Sequence, residues 1–164
     1  MFAAEALEKV LQMYGQYYQV KRDEVSPPFA AEAESSVVDE LLSGFKTVKI
    51  SSAESREIVF FSAEEELTEE RAQRLIEAAW TEGLSRVRPG PNHRNTDVIL
   101  VMLTDRIDPE AAALLKKIRR SKNYMLTFHG WSVLRLIAIE TPSRNMVCNR
   151  MGHDLKKLFS NIKF

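Results

Sequence analysis

The side chains best suited to chemistry in this 164-residue chain are eight charged or titratable residues in its second half: Arg86, Arg88, His93, Arg94, Asp97, Asp105, Arg135 and Glu140. The segment SRVRPGPNHRN (85–95) sets Arg86, Arg88, His93 and Arg94 around a Pro-Gly-Pro core. Arginine forks match phosphate or carboxylate oxygens through two parallel hydrogen bonds, so this loop is the leading anion-binding candidate. Asp97, Asp105 and Glu140 stand at the ends of apolar segments, a position from which nucleases and phosphatases hold metal ions. Two-metal phosphoryl chemistry requires several such acids around ions about 3.5–4 Å apart. The lysine that a nuclease-like site wants two residues beyond the second acid is missing, because Glu140 runs into Thr141 and Pro142. Local hydrogen bonding at turns and strand ends is the plainer reading of these acids. No catalytic residue is assigned.

Arg135 poses a sharper question, because it lies in the middle of the most apolar run, FHGWSVLRLIAIE (128–140). Strand periodicity places Trp131, Val133, Arg135, Ile137 and Ile139 on one side. An unpaired buried charge costs several kcal/mol, so the guanidinium demands a partner. Asp97, Asp105 or an acid of the N-terminal half would supply an internal pair; an anion socket is the functional alternative. Buried arginines are usually paired within the protein, which favours the internal acid.

Motifs for other chemistries are missing: there is no GxxxxGK(S/T), no GxGxxG after a strand, no HExxH, no GxSxG and no CxxC. His93, His129 and His153 are far apart in sequence, whereas zinc requires three or four converging ligands. Cys148 is the single cysteine, which excludes an internal disulfide and fits a reducing compartment. Neither a metal nor a cofactor is expected.

Net charge is zero but unevenly spread: residues 1–80 hold 8 Lys/Arg against 16 Asp/Glu, and residues 81–164 hold 15 against 7. A basic half can serve nucleic acid. Strong nucleic-acid binders usually carry net positive charge over the whole domain, however, so mutual neutralisation of the two halves is the simpler expectation. A second basic cluster, KKIRRSK, spreads over the outward face of a helix, and no aromatic residues interleave with it as stacking platforms. No apolar run approaches the roughly 20 residues a bilayer requires. The N-terminus lacks the basic start of a signal peptide. A cytoplasmic protein with no membrane partner is expected.

These residues need elements to position them. Ala3, Leu7, Val10, Tyr14 and Tyr17 form one seam, widened by Tyr18, so residues 2–22 read as a helix closed by the prolines of VSPPF. That helix, as an arm over 1–24, offers Leu7, Val10, Tyr14 and Tyr17 for a homodimer. Phe29, Ala33, Val37, Leu41 and Leu42 predict a second helix over 29–43. FKTVKIS and EIVFFS, around a polar SAESRE turn, predict a hairpin over 45–62. Thr68 caps the helix EERAQRLIEAAWTEGL. DVILVML (97–103) reads as a strand covered on both faces. Asp108 and Pro109 start a helix running to about Lys122. YMLTF, WSVLRLIAIE and MVCNR read as three strands, and HDLKKLFSNI as a closing helix. The sum is an α+β (or α/β) fold: a mixed, largely antiparallel sheet of about six strands, with residues 29–164 as a single domain.

GWSVLRLIAIE, a turn and NRMGHDLKKLF resemble the end of an uncharacterised bacterial domain family from Clostridia-like Gram-positive genomes. The matching positions are Phe128, Gly130, Trp131, Arg135, Asn149, Arg150 and Gly152, and the likeness extends back to about Phe29. It implies a bacterial cytoplasmic protein and no catalysis. The expected function is a non-catalytic regulatory or protein-interaction domain, capable of self-association, with a nucleic-acid-binding or nuclease-like domain as the alternative.

Overall fold

The computed structural model describes residues 1–43 and 48–164, with side chains described outside 38–52. The chain forms α1 (Ala3–Tyr14), β1 (Gln19–Lys21), β2 (Ala31–Ser43), β3 (Val48–Leu67), α2 (Glu69–Ser85), β4 (His93–Ile107) and α3 (Pro109–Lys117). It continues through β5 (Ser121–Asn123), β6 (Trp131–Glu140), β7 (Asn145–Cys148), a 3₁₀ turn at Arg150–Gly152 and α4 (His153–Ser160). The strands make one sheet in the order β1-β2-β3-β4-β6-β5, with β7 also pairing β6. β3, β4 and β6 run parallel, while the remaining pairings are antiparallel. The parallel strands occupy the centre because their crossovers, through α2 and α3, lay helices on the sheet.

Each face of this α+β sheet has its own core. Ile58, Phe60, Val98, Leu100, Met102, Leu134 and Leu136 meet Leu75, Ile76 and Ala79 of α2 and Ala111 and Leu115 of α3. Val59, Phe61, Ile99, Val101, Leu103, Ile137 and Ile139 meet α1 and α4 on the other side. Burial on both faces is why 97–103 carries no polar residue beyond Asp97. α1 buries Ala3, Ala6, Val10, Leu11 and Tyr14 in this second core, and its three large side chains contribute roughly 1.5–3 kcal/mol each.

Five expectations are corrected. The helix read over 29–43 is strand β2. Ala33 and Val37 are spaced by four, and four is a multiple of two, so the same spacing fits one face of a strand; Phe29 precedes the strand and packs in the opposite core, and the side chains of Leu41 and Leu42 and all of Gly44 lie outside what is described. The hairpin over 45–62 is instead the interior of one 20-residue strand, β3, with 45–47 outside the described residues. SAESRE does not turn, because its polar side chains find partners across the sheet: Ser55 on Asn95 of β4, Arg56 on Glu34 of β2, and Glu57 on Tyr18, just before β1. The first helix stops at Tyr14, capped by Gly15, and residues 19–21 join the sheet; the third stops at Lys117, where Ile118 turns extended and buries itself.

The fifth correction is YMLTF, which is a turn. Met125, Leu126 and Thr127 adopt φ of 50°, 52° and 77°, and Gly130 adopts 86°. Tyr124 N–H donates to Gly130 O (3.0 Å) and His129 N–H to Tyr124 O (3.1 Å), closing the loop. Left-handed geometry costs a non-glycine residue roughly 1–2 kcal/mol.

Candidate functional site

Strand β6 delivers Arg135 to the α1/α4 face, as its parity requires. The guanidinium finds three partners there. Nε donates to Met151 O (3.0 Å), and Nη1 lies 3.3 Å from Asp97 Oδ2 and 3.6 Å from Glu57 Oε1. Register makes this set: Asp97 pairs Glu57 across β3 and β4, and Ile99 pairs Arg135 across β4 and β6. Two carboxylates side by side would repel, and the arginine one row away bridges them. Asn95 Nδ2 donates to Asp97 (3.0 Å), and the Tyr18 hydroxyl donates to Glu57. Burial first, then this contact with Glu57, holds the Tyr18 phenol well above its ordinary pKa; burial does the same for Tyr14, whose ring is 4.9 Å from that of Tyr18.

Arg86 is spent on the opposite face. It meets Glu32 at 2.6 Å and Glu82 at 3.0 Å, donates to Ser26 Oγ at 3.2 Å, and stands 5.4 Å over the Phe60 ring. Burial works against its charge, and the two carboxylates outweigh it and raise its pKa. Arg135 and Arg86 therefore serve different faces of the sheet, while Asn95, at the end of the 85–95 segment, joins the Arg135 cluster through Asp97.

His93 is buried and structural. Nδ1 bonds His129 O (2.7 Å), Nε2 bonds Thr96 Oγ1 (2.8 Å), and the ring meets Tyr124 edge-on at 5.7 Å. It is the peg on which the 124–130 turn hangs. Arg88 and Arg94 are exposed; Arg88 and His93, with Glu34, Ser36, Glu54 and Arg56, line a cavity of about 310 Å³.

The three strand-end acids do not converge. Asp97 and Asp105 are eight residues apart on β4, about 26 Å at strand rise. Asp105 Oδ1 accepts from Ala3 N–H (2.6 Å), receiving the first turn of α1. Glu140 accepts from Ser143 Oγ (2.5 Å) and Ile107 N–H (2.8 Å), which together hold its carboxyl below the usual range. No group of three or more His, Cys, Asp or Glu that could hold a metal occurs among the described residues. Cys148 is half-buried, and burial raises its thiol pKa.

Asn149 is a residue whose role sequence reasoning missed. β5 covers the outer edge of β6 at 131–133 and β7 covers it at 137–140. The buried Asn149 amide fills the gap between them. Its Oδ1 accepts from Leu136 N–H (3.1 Å) and Gly152 N–H (2.8 Å), and its Nδ2 donates to Leu134 O (3.0 Å) and Ile118 O (3.3 Å). Gly152 is bound to this arrangement, since a Cβ there would lie 2.3 Å from Leu136 O. NRMG is thus a sheet-edge splice. The other missed feature is the turn itself, which leaves Met125 (66%), Leu126 (88%), Phe128 (80%) and Trp131 (41%) in solvent. The signal for it was a large-apolar run with no buried face to alternate against, ending in His-Gly.

The geometry defines a class: an α+β domain with a two-faced sheet, whose inward charges are answered internally. The chain belongs to the family described as a domain of unknown function, DUF8052, whose model matches residues 3–161. No curated protein and no solved structure matches it.

Proposed function

We propose that this domain is a non-catalytic binding module whose contact surface is the Tyr124–Trp131 turn. One observation carries the reading. Among the described residues, the candidate acids and Arg86, His93 and Arg135 have internal partners, while four large apolar side chains of one turn have none. Large exposed apolar patches mark interaction sites, and backbone strain persists where the surroundings hold it for a purpose. Self-association through the N-terminal segment would be left with part of Leu7 on α1 and with Tyr17 beyond its end, because Val10 and Tyr14 are spent on the sheet. A cytoplasmic, bacterial setting suits the lone half-buried thiol of Cys148 and the resemblance of the C-terminal block.

The test is photo-crosslinking in living cells, with a photoreactive amino acid replacing Leu126 or Phe128. Adducts should form at both positions and not at Glu70, an exposed control on α2. Equal labelling at all three positions, or none, would overturn the reading.

A further inference from the structure

From the same turn we infer that the contact surface is built for the interface of an anionic lipid bilayer. This rests on the reading of the turn as a contact surface and names its partner. The tip is a hydrogen-bonded loop with exposed apolar side chains, Leu126 and Phe128 foremost in exposure and Met125 next. Side chains this exposed need a pocket in a protein partner, whereas acyl chains accommodate them without one. Behind the tip stand Tyr124, whose hydroxyl bonds Ser132 Oγ (2.9 Å), and Trp131, which is partly exposed. Amphipathic aromatic rings are the side chains favoured at headgroup depth.

Charge around the tip fits the same partner. No Asp or Glu occurs between Glu110 and Glu140, a stretch holding Lys116, Lys117, Arg119 and Lys122 besides the internally paired Arg120 and Arg135, and none occurs between Glu82 and Asp97. The two stretches meet at the turn, where His93 bonds His129 O. Lys122 stands 5.7 Å over the Tyr124 ring. Lys122, Arg88 and Arg119 are exposed and carry no ion pair among the described residues. Basic side chains within a Debye length of an anionic membrane add to the affinity of an inserted apolar group. Nucleic acid would also attract this charge, but Leu126, the most exposed side chain of the turn, offers no ring on which a base stacks. Among the described residues no helix is long and apolar enough to cross a membrane; the inferred attachment is by insertion of the turn.

The experiment uses the full chain and vesicles of phosphatidylcholine, alone or with phosphatidylglycerol. Cosedimentation should occur with the anionic vesicles at low salt and fall as salt rises. Leu126→Ser should weaken binding roughly tenfold, and Lys122→Ala about fivefold. In a Trp80→Phe background, which leaves Trp131 as the sole tryptophan, anionic vesicles should shift its emission to the blue. Folding of each variant is checked by its thermal transition; Leu126 is too exposed for Leu126→Ser to disturb the core. Failure to sediment with anionic vesicles overturns the inference, as does undiminished binding by Leu126→Ser. A gel shift with a random oligonucleotide in place of vesicle binding also overturns it. Protein adducts at position 126 in cells, with no vesicle binding, would overturn the lipid inference and leave the contact surface standing.

Discussion

Arg135 and Asp97 lie on adjacent parallel strands, offset by two residues along the register, with guanidinium and carboxylate 3.3 Å apart. The offset lets one arginine reach over a row to two acids, since Glu57 is the cross-strand neighbour of Asp97. The Arg135 side chain is 16% exposed and that of Asp97 15%, so neither is fully rescued by water when the other is removed.

Arg135→Met should therefore destabilise the domain by about 2 kcal/mol, the value for a buried pair discounted for partial solvent access. The triple variant with Glu57→Gln and Asp97→Asn should recover a large part of that loss, because no charge is then left unanswered. Urea denaturation at pH 7 measures both. A single Arg135→Met variant as stable as the wild type would contradict the pairing.

Asn149→Asp should be worse than Asn149→Ala. Aspartate keeps the acceptor for Leu136 and Gly152 but turns lone pairs toward Leu134 O and Ile118 O, which currently receive hydrogen bonds. A loss of about 3 kcal/mol or more is expected for the aspartate. Hydrogen exchange at the Leu136 amide should rise in both variants; protection unchanged from the wild type would show that the splice does not hold the edge.

Tyr14 and Tyr18 predict an alkaline limb. Burial lifts both phenols above their ordinary range, so above about pH 10 the unfolded chain sheds these protons while the folded chain keeps them. Stability from this source is fully present below pH 10 and falls as pH rises, by up to about 1.4 kcal/mol per pH unit for each tyrosine. Tyr14→Phe should flatten the limb, and Tyr17→Phe, at an exposed position, should not. Denaturation midpoints between pH 9 and 11 decide it.

Thr127→Gly should raise stability by roughly 0.5–1 kcal/mol. Thr127 is β-branched at φ 77°, where glycine carries no steric penalty, and the gain outweighs the added freedom of the unfolded chain. A shift to a higher urea midpoint is the expected result. A lower one would mean that the threonine side chain itself holds the turn.

The sequence was most readable where burial is two-sided or where a cap is chemically distinctive. Residues 97–103 and 131–140 became the strands their apolar runs suggested, and Thr68 caps α2 by accepting from Arg71 N–H at 3.1 Å. The parity argument placed Arg135 on the correct face and named Asp97 among its partners. Glu57 was covered only as an unnamed acid of the N-terminal half, because it stood at the edge of a stretch read as a turn, where polar composition outweighed cross-strand pairing that no local pattern reveals. β2 was misread for a related reason: an apolar spacing of four fits both periods, and only the long pairing with β3 decides between them. The Arg86–Arg94 loop looked like a site because its basic residues cluster in sequence. In space Arg86 turns to Glu32 and His93 to the 124–130 turn, so the cluster is divided among separate structural tasks.

The splice on β6 also bears on solubility. WSVLRLIAIE combines strong β-propensity with little charge, the composition from which cross-β aggregates grow, and such growth begins at free backbone groups along an edge. Here Lys122 faces Ser132, Arg120 O takes the Leu134 N–H, Asn149 takes that of Leu136, and Val147 faces Ala138. Two short strands and one side-chain amide thus deny a second molecule its template along the chain's most aggregation-prone segment.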